Sequence, residues 1–490
     1  MRSDQNTKGA RRVSYDVIGV TFLATAFVVT VWSRLFLPLG RSHDGTNTAV
    51  WMNGGRAIVE SGPVNSRLGA KTAVFGTYAH HPPGLYLISA LVYVLGGTRA
   101  VYARVPAVVS VLAGIALAWV LLRTLGRSRL ACFGAVAFAV TAPMLLLWGP
   151  MLNHEAVAMP WALGALVIGA RVQRGQRVPV WLAAFVGFGG AIISWQGLLL
   201  VMFLAASSFA PAWRPTDPQA RRVMSVLGAA GLVALALTVA WQLWAYGDLR
   251  DVIEAFRFRA NGATQTKYGF VESQMRFAYQ GFPIWTLLLA AYGTCLLWRD
   301  RASAVTSSAL FAAIATYTLG FRNGATIHVY WNYWVVLVVI VAVAAVIDRH
   351  ARSSTRERAV VVAALAAMVV AFSTVIGTKG AAGIELGAQA GAVVARTPIA
   401  ASQQQYYAFA DIDEPPPWIF YPTERRVVIL SDPTEVMRLG VEVPDAVVLI
   451  QRSVLDAQRA GGFDALAPVA IVRRDAYESA RMADLAAVLG

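Results

Sequence analysis

The longest stretch of the chain without Asp, Glu, Lys or Arg covers residues 178–213, VPVWLAAFVGFGGAIISWQGLLLVMFLAASSFAPAW. It contains 36 residues, whereas about 20 apolar residues are enough for a helix to cross the hydrocarbon core of a bilayer. Its more polar centre, Ser194-Trp195-Gln196-Gly197, is suited to a turn. We therefore predict two short membrane helices joined at these four residues, in a helical membrane protein.

Similar uncharged runs recur through the first 378 residues. They cover 17–33, 105–122, 130–154, 156–170, 223–247, 277–298, 302–321, 323–347 and 359–378. Together with the first stretch they predict an all-α polytopic membrane protein with eleven spans. The chain is 57% hydrophobic and only 14% charged, whereas a soluble domain is roughly 25% charged, so the composition excludes a disordered chain. Cys132 and Cys295 lie inside apolar runs and show neither a disulfide framework nor metal-ligand spacing.

Basic residues between the runs predict the orientation of the chain. Lys and Arg are enriched in short cytoplasmic loops, and a cytoplasmic N-terminus places the Arg-rich connections 123–129 and 171–177 on that side. The loops 39–100 and 246–280 and everything after Lys379 are then extracytoplasmic. The first run lacks a small-residue cleavage site, so we predict an uncleaved span. The net charge of +15 is explained by this topology, and no clustered basic face predicts nucleic-acid binding.

The chain divides at residue 376 into a membrane domain, 1–376, and a small extracytoplasmic domain, 377–490. In the second part, short β-branched runs alternate with helix-like stretches. The predicted strands are 426–430, 446–450 and 469–472, and the predicted helices are 433–440, 452–462 and 475–489. This alternation predicts a small α/β domain with a partly parallel sheet. The segment 413–417, Asp-Glu-Pro-Pro-Pro, is predicted as a linker.

Five of the six histidines fall at the predicted outer face: His43, His80, His81, His154 and His328. Two of them precede a carboxylate, in His43-Asp44 and His154-Glu155. Ionisable groups at membrane depth are costly and tend to mark function, so we predict an external polar site that contains Asp44 and Glu155. The structural alternatives are that Asp44 is a helix cap or a solvated loop residue and that Glu155 is the N-cap of the following helix.

Five short motifs occur in an order that resembles a known family. They are Ser42-His43-Asp44-Gly45, His80-His81-Pro82-Pro83-Gly84-Leu85-Tyr86, Ala103-Arg104-Val105-Pro106, Thr141-Ala142-Pro143 followed by Asn153-His154-Glu155, and Arg322-Asn323-Gly324-Ala325-Thr326-Ile327-His328-Val329-Tyr330-Trp331. Over roughly residues 14–376 the chain resembles the polytopic type C glycosyltransferases. Within them it is most similar to the protein O-mannosyltransferases, the lipid A aminoarabinose transferases and the bacterial family 39 glycosyltransferases.

The resemblance implies transfer of a sugar from a polyprenyl-phosphate carrier to a lipid, glycan or protein acceptor outside the bacterial cytoplasmic membrane. Asp44 matches the catalytic base of the first external loop, and Glu155 matches the second acid. Many members carry a Lys before Pro-Pro, where this sequence has His81. Relatives often also have a Lys in the turn between the paired short helices, where this sequence has Trp195-Gln196. The predicted donor-phosphate residues are His80, His81, Arg104, Arg322, His328 and Tyr330. Further predicted site residues are His43, Asn153, His154 and Gln196.

The chemistry of these residue types agrees with such a reaction. A lipid phosphate is a good leaving group, so the enzyme needs a base for the acceptor and cations or hydrogen-bond donors for the departing phosphate. No resident cofactor is predicted beyond the lipid-linked donor substrate, and a divalent metal ion is left open. The external segment 251–259 is predicted as an amphipathic helix on the membrane surface. It either gates the access of substrates or serves only as a surface helix.

Three other functions fit parts of the pattern. A transporter or lipid flippase would also have many helices, but it would usually place ionisable residues near the bilayer midplane and show an internal repeat. A metal-dependent enzyme would use His43, Asp44, His80, His81, His154 and Glu155 as ligands, although no His-Glu-x-x-His motif is present. A structural or sensor role of the acidic C-terminal region is the third.

Overall fold

The computed structural model describes most of the membrane part of the chain and several segments of the C-terminal region. The described residues are 2–40, 43–72, 76–261, 268–351, 355–357, 405–409, 426–430, 433–451 and 477–489, together with positions 359, 363, 366 and 392. The chain forms two compact units. The first unit comprises residues 1–34, 79–85 and 105–376, and the second comprises 35–78, 86–104 and 377–490. Most of the predicted span 359–378 and the whole predicted linker 413–417 lie outside the described residues.

Helices dominate the described part of the chain up to residue 350. The first elements are α1 (Arg2–Leu35), α2 (His43–Asn65), β1 (Lys71–Thr72), β2 (Gly76–Thr77), α3 (Gly84–Gly96), α4 (Ala100–Thr124), α5 (Arg129–Val140), α6 (Pro143–Trp148), α7 (His154–Gln173) and α8 (Val180–Ile193). They are followed by α9 (Trp195–Ser207), α10 (Pro218–Tyr246), α11 (Leu249–Ala260), α12 (Phe270–Gly281), α13 (Ile284–Leu297), α14 (Arg301–Gly320), α15 (Arg322–Ile327), a 3₁₀ helix (Val329–Asn332) and α16 (Val335–His350).

Six helical segments among the described residues are long and apolar enough to cross a membrane. They are Tyr15–Leu35, Ala100–Thr124, His154–Gln173, Pro218–Tyr246, Arg301–Gly320 and Val329–His350. The pair α12 and α13 is a seventh candidate, bent by 106°. The shorter apolar helices of this part are α3, α5, α8 and α9. The prediction of a helical polytopic protein is confirmed, whereas the predicted number of eleven spans is not fully confirmed.

Proline residues explain why two predicted spans are not single helices. The run 130–154 is divided between α5 and α6 just before Pro143, and the run 277–298 is divided between α12 and α13 at Pro283. A proline has no backbone N–H and disfavours helical geometry at the residue before it. The uncharged runs therefore predict the apolar length of these two regions but not the breaks inside them.

The predicted pair of short helices in 178–213 is confirmed. α8 ends and α9 begins at Ser194, whose extended backbone interrupts the helix and whose Oγ accepts a hydrogen bond from the N–H of Gln196 at 3.2 Å. A Cβ on Gly197 would lie only 2.2 Å from the carbonyl oxygen of Gly190. The two glycines therefore allow the helices to approach closely, and the turn fixes Gln196 at the start of α9.

The core of the first unit contains a deeply buried helix. α16 packs against α5 and α13, and 83% of the most apolar part of Val329–His350 is buried. A helix that is apolar on every side is expected to be buried, and residues 335–347 consist only of Val, Leu, Ile and Ala. α9 packs in the same unit against α8, α10 and α14. α7 packs against α8, α9 and α14. The first turns of α7 and α9 are therefore held in place by neighbouring helices.

The C-terminal part of the second unit contains a four-stranded sheet. Its described elements are β3 (Gln405–Phe409), β4 (Arg426–Leu430), α17 (Pro433–Glu442), β5 (Val447–Gln451), β6 (Tyr477–Arg481) and α18 (Met482–Leu489). The strand order is β4-β3-β5-β6, with β3 parallel to β4 and β5 and with β6 antiparallel to β5. The predicted α/β fold with a partly parallel sheet is confirmed. Its small core consists mainly of Leu430, Val436, Leu439, Val448, Met482 and Leu485.

Local predictions in this region are partly wrong. The structure confirms, to within two residues at each end, the predictions for 426–430, 433–440 and 446–450. Residues Tyr477–Arg481 form strand β6 because they pair with β5, so the helix predicted for 475–489 begins only at Met482. Strand β3 was not predicted, although it pairs with two neighbours. The predictions for 452–462 and 469–472 lie outside the described residues.

Candidate functional site

The predicted site residues divide between the two units, and in the second unit the central residue is Asp44. It lies in the first turn of α2 and is only 5% exposed. The guanidinium of Arg104, a residue of α4 that is 1% exposed, donates a hydrogen bond from Nη2 to Oδ2 of Asp44 at 2.7 Å. The alternative that Asp44 is a solvated loop residue is therefore wrong.

Arg104 also contacts the segment that links α1 to α2. Its Nη1 donates hydrogen bonds to the carbonyl oxygens of Leu35, at 3.4 Å, and of Leu37. The same link is tightly packed, since a Cβ on Gly45 would lie 2.2 Å from the backbone nitrogen and oxygen of Gly40. One guanidinium thus joins the end of α1 to the first turn of α2 and fixes the carboxylate of Asp44.

His43 begins α2 and is exposed. Its carbonyl oxygen accepts a hydrogen bond from Nδ2 of Asn47 at 2.9 Å, one helical turn later. The neighbouring side chains of the His43-Asp44 pair therefore have opposite environments, one solvated and one buried. In this turn the carboxylate of Asp44, and not the imidazole of His43, is therefore the buried polar group.

In the first unit, Glu155 lies in the first turn of α7. The N-cap of this helix is Asn153, whose Oδ1 accepts a hydrogen bond from the N–H of Ala156 at 2.8 Å. The alternative that Glu155 is the N-cap is therefore wrong. A negative charge in the first turn is still favourable, because the N-terminal end of a helix carries a partial positive charge.

The carboxylate of Glu155 is fully buried. Its Oε1 lies 2.9 Å from Nε2 of His154, but the angles of this contact do not suit a hydrogen bond, and neither carboxylate oxygen has a hydrogen-bond partner among the described residues. The indole Nε1 of Trp334 donates instead to the main-chain oxygen of Glu155 at 3.0 Å. A buried carboxylate without hydrogen bonds is costly for folding, which indicates a functional group.

Several further buried polar atoms of the first unit share this property, and three of them belong to residues near the ends of buried helices or to the predicted site. Within the part of the chain that the structure describes, Nδ2 of Asn153, Oε1 of Gln196 and the hydroxyl of Tyr333 have no hydrogen-bond partner. They include both donors and acceptors. Polar atoms that are buried and unsatisfied are rare in native proteins and require an explanation.

His81 and His154 are in direct contact. Their rings are 3.9 Å apart between centroids, and both residues are buried. Nε2 of His154 also lies 3.2 Å from the hydroxyl oxygen of Tyr317 in α14. The His-His-Pro-Pro segment and the start of α7, which were predicted from separate motifs, are therefore brought together by the fold.

The segment that carries the two adjacent histidines is fixed by hydrogen bonds to its backbone. The indole Nε1 of Trp195 donates to the carbonyl oxygen of His80 at 2.9 Å. The amide of Gln242 donates to the carbonyl oxygen of Ala79 at 2.8 Å, and the N–H of Ala79 donates to the hydroxyl of Tyr246 at 3.1 Å. Helices α9 and α10 thus determine the position of both imidazoles.

The two adjacent histidines are neutral at pH 7. Burial, with additional repulsion from Arg259, lowers the pKa of His80 to about 3. Burial also lowers the pKa of His81 well below its usual value, with further repulsion from His154 and Arg259. Both residues lie between β2 and α3, outside the spanning helices. Neutral imidazoles donate hydrogen bonds to a phosphate, but the permanent positive charge has to come from other residues.

Aromatic side chains connect the remaining predicted residues of the first unit. Trp331 stacks on Tyr317 at 4.7 Å and lies 6.3 Å from the rings of both His81 and His328. Its carbonyl oxygen accepts a hydrogen bond from Nε2 of Gln196 at 3.2 Å. Two predicted site residues, Gln196 and His328, therefore both lie next to Trp331.

The late motif places its other two candidates differently. Tyr330 is buried and stacks on His328 with the ring centroids 5.0 Å apart. Arg322 is exposed at the start of α15, and its guanidinium lies over the ring of Phe270 at 5.0 Å. Arg322 is thus oriented towards α12.

Arg259 is a further residue of the first unit, and it belongs to none of the five sequence motifs. It lies near the end of α11, which confirms the helix predicted for 251–259, and it is half-buried. Its positive charge is close enough to affect both adjacent histidines. A sequence signal was present, because Arg257 and Arg259 lie in a predicted external loop, where the positive-inside rule does not favour arginine.

The described residues contain no group of three or more His, Cys, Asp or Glu side chains that is arranged to hold a metal ion. The predicted ligands of the metal-dependent alternative lie in different units, with His43 and Asp44 in the second and the others in the first. The metal-dependent alternative therefore has no support in the geometry of either unit.

Comparison with known proteins agrees with the motifs. A family model described as dolichyl-phosphate-mannose-protein mannosyltransferase matches residues 80–244. Comparison with curated protein sequences gives no match. Among solved structures, the chain is similar to ArnT from Cupriavidus metallidurans in the apo state, with a TM-score of 0.59 and 14% identity over 98% of this chain and 99% of that one.

Two further structures show the same similarity. ArnT from Cupriavidus metallidurans bound to undecaprenyl phosphate matches with a TM-score of 0.56 and 14% identity, over 97% of this chain and 98% of that one. The archaeal oligosaccharyltransferase AglB from Archaeoglobus fulgidus, in complex with an inhibitory peptide and a dolichol-phosphate, matches with a TM-score of 0.52 and 12% identity, over 90% of this chain and 70% of that one.

These similarities define the fold of the protein. The chain is a multi-span membrane protein with the fold of the type C glycosyltransferases, and the predicted resemblance to them is confirmed. Identities of 12–14% establish the fold. A shared fold does not assign roles to individual residues.

Proposed function

We propose that the protein transfers a sugar from a polyprenyl-phosphate-linked donor to an acceptor on the extracytoplasmic side of the bacterial cytoplasmic membrane. The observation that carries this proposal is the buried carboxylate of Asp44. It lies in the first turn after the first span, at the place where the resemblance implies a catalytic base, and it is held by Arg104 at 2.7 Å.

The nature of the donor is supported by what the similar proteins bind. ArnT was solved with undecaprenyl phosphate and AglB with a dolichol-phosphate. The matching family model is named after a dolichyl-phosphate-linked sugar as well. A polyprenyl-phosphate sugar is therefore the donor class that we propose for this chain, and the acceptor is a lipid, glycan or protein hydroxyl.

The reaction requires a base and a group that stabilises the leaving phosphate. The acceptor oxygen forms a bond to the anomeric carbon, the bond between that carbon and the phosphate oxygen breaks, and the acceptor proton passes to Asp44. The departing polyprenyl phosphate gains negative charge, which cationic groups and N–H or O–H hydrogen-bond donors stabilise. Candidates for this role in the first unit are His80, His81, Arg259, Arg322, His328 and Tyr330.

Arg259 is the cation that we favour for the phosphate. It is half-buried, and its charge helps to lower the pKa of His80 and His81, so a charged donor and two neutral donors would be available to a phosphate. Arg322, by contrast, is exposed at the start of α15. We therefore assign the permanent charge to Arg259 and a supporting role to the two imidazoles.

Glu155 is proposed to bind a hydroxyl group of one substrate. Its two carboxylate oxygens are buried and have no hydrogen-bond partner in the described part of the chain. A substrate hydroxyl would satisfy one of them and lower the cost of burying the charge. Asn153, His154 and Gln196 are proposed to support Glu155 from the same buried region.

The proposed orientation has the N-terminus in the cytoplasm and the C-terminal domain outside it. The Arg-rich loops of the sequence support this orientation. The type C glycosyltransferase fold favours transfer chemistry over the transporter alternative.

The proposal is tested with purified protein in nanodiscs and a panel of polyprenyl-phosphate sugars. Mass spectrometry would follow the release of polyprenyl phosphate in the presence of a membrane extract that supplies acceptors. We expect release from one sugar donor with the wild-type protein and a rate of release about 100- to 10,000-fold lower with Asp44→Asn, because a general base is lost. Asp251→Asn, which changes an exposed acid of α11, is the matched control and should be active. Equal release by Asp44→Asn and the wild-type protein would contradict the proposal.

A further inference from the structure

Arg104 makes contacts that a simple phosphate ligand would not need. It is almost completely buried, and it uses both terminal nitrogens within the second unit. Nη2 donates to the carboxylate of Asp44, while Nη1 donates to the carbonyl oxygens of Leu35 and Leu37. The guanidinium therefore connects three points of a single chain segment, the one that runs from the end of α1 to the first turn of α2.

The shape of the guanidinium explains why an arginine is needed. Its planar fork presents several N–H donors in fixed directions, whereas the ammonium of a lysine is a point charge on a flexible stem. The guanidinium can therefore contact a carboxylate through one terminal nitrogen and main-chain carbonyl oxygens through the other, which a lysine ammonium cannot do in the same fixed geometry. The direction of the Asp44 carboxylate is thus coupled to the end of α1.

Burial makes this coupling strong. Asp44 is 5% exposed and Arg104 is 1% exposed, so water does not readily replace either partner. Removing one partner of a buried ion pair leaves an uncompensated charge. The close approach of Gly45 to Gly40 limits the space into which the link would otherwise relax.

We infer that Arg104 is a positioning residue, which fixes the carboxylate of Asp44 for proton transfer and does not bind the donor phosphate. This inference rests on the proposed role of Asp44 as the base. It assigns a different role to an arginine that the sequence motif placed among the phosphate ligands. Arg104 acts on the acceptor side of the reaction, and its loss changes turnover instead of donor affinity.

The test compares Arg104→Gln with the wild-type protein in two measurements. One is kcat with the donor that the panel of polyprenyl-phosphate sugars identifies, and the other is the Kd for undecaprenyl phosphate. A positioning role predicts that kcat falls roughly 10- to 100-fold, as small displacements of catalytic groups do, while the Kd changes less than about threefold. A phosphate ligand predicts the opposite, because loss of a charged hydrogen bond weakens binding by about 10- to 100-fold. That second result would overturn the inference.

A double variant separates positioning from a general loss of structure. In the Asp44→Asn background, Arg104→Gln should lower the residual turnover by no more than about twofold, because the carboxylate it positions is gone. If Arg104→Gln lowers kcat by the same factor in both backgrounds, Arg104 does not act through Asp44 and the inference is wrong. Arg104→Lys should recover only part of the activity, since it keeps the charge and loses the fork.

Arg56→Gln is the matched control. Arg56 is also a buried arginine of the second unit, and it pairs with Glu60 on the same helix as Asp44, at 2.9 Å. We expect its kcat to stay within about threefold of the wild-type value if the effect at Arg104 is specific to Asp44. If Asp44→Asn itself keeps full turnover, the proposed base is wrong. If Asp44→Asn is inactive and Arg104→Gln is fully active, only the positioning role is wrong.

Discussion

Arg104 and Asp44 are 60 positions apart in the sequence and form a buried ion pair with 2.7 Å between Nη2 and Oδ2. The first turn of α2 and the start of α4 are thereby joined through a carboxylate that is proposed as the base of a sugar transfer. Because the same guanidinium contacts the carbonyl oxygens of Leu35 and Leu37, the base is coupled to the end of the first span. The pair explains how an acid in a predicted external loop is held in a defined position.

Gly45→Ala should lower turnover through the position of its neighbour Asp44. A Cβ at this residue would lie 2.2 Å from backbone atoms of Gly40, so the link before α2 has to shift. A displacement of about 1 Å costs roughly 100-fold in rate when it affects a catalytic group, and we expect a decrease of that order in kcat. Gly320→Ala is the control, since a Cβ there meets nothing within 4 Å. Equal activity of the two variants would show that the close approach does not position Asp44.

Glu155→Gln should separate function from stability. The carboxylate is fully buried without a hydrogen-bond partner among the described residues, so a neutral amide is less costly to bury. We expect an apparent Tm equal to or above that of the wild-type protein, together with a decrease in kcat/KM of about 10- to 100-fold from the lost charged hydrogen bond to substrate. Glu254→Gln, at an exposed ion pair of α11, should change neither value. Wild-type kcat/KM in Glu155→Gln would contradict the proposed substrate contact.

Arg259→Gln should weaken donor binding. Arg259 is half-buried, and its charge lowers the pKa of both histidines of the 79–81 segment, while a charged hydrogen bond to a phosphate contributes about 10- to 100-fold in affinity. The Kd for undecaprenyl phosphate, measured from quenching of tryptophan fluorescence in detergent, should rise by that factor. Arg257→Gln changes an exposed arginine of the same helix and is the control. The assignment of the permanent charge fails if the two variants bind the lipid equally well.

Acidification should destabilise the folded protein through His80. Burial lowers the pKa of this imidazole to about 3 in the folded state from a usual value of 6.5. Between these pH values the unfolded chain binds a proton that the folded chain does not, so the free energy of unfolding decreases as the pH falls. The apparent Tm of the wild-type protein should therefore decrease from pH 7 to pH 4, and His80→Asn should reduce this dependence. His43→Asn, at an exposed histidine, should leave it unchanged, and an identical pH dependence in all three proteins would refute the role of His80.

Much of the fold was predictable because charge and hydrophobicity are strongly patterned. The uncharged runs located the helices, and Ser194 marked the turn between α8 and α9. The runs did not locate breaks inside a span, which depend on Pro143 and Pro283. Tyr477–Arg481 was predicted as helix because its pairing with β5 is a long-range contact that local composition does not show.

The sequence predicted which residues belong to the candidate site but not which of their side chains contact one another. The motifs selected Asp44, His81 and Glu155, yet the sequence does not show that Asp44 pairs with Arg104 or that the ring of His81 contacts the ring of His154. These contacts depend on how helices pack. Arg259 was missed because it belongs to no motif, although an arginine in a predicted external loop is a weak signal.

The central claim is that Asp44 is the base of a sugar transfer, and the most direct test measures turnover and donor binding in Asp44→Asn together. Loss of a general base lowers the rate by about 100- to 10,000-fold, while a residue on the acceptor side leaves donor affinity intact. We therefore predict a decrease of that order in kcat with the Kd for undecaprenyl phosphate within about threefold of the wild-type value. A wild-type kcat in Asp44→Asn would contradict the account.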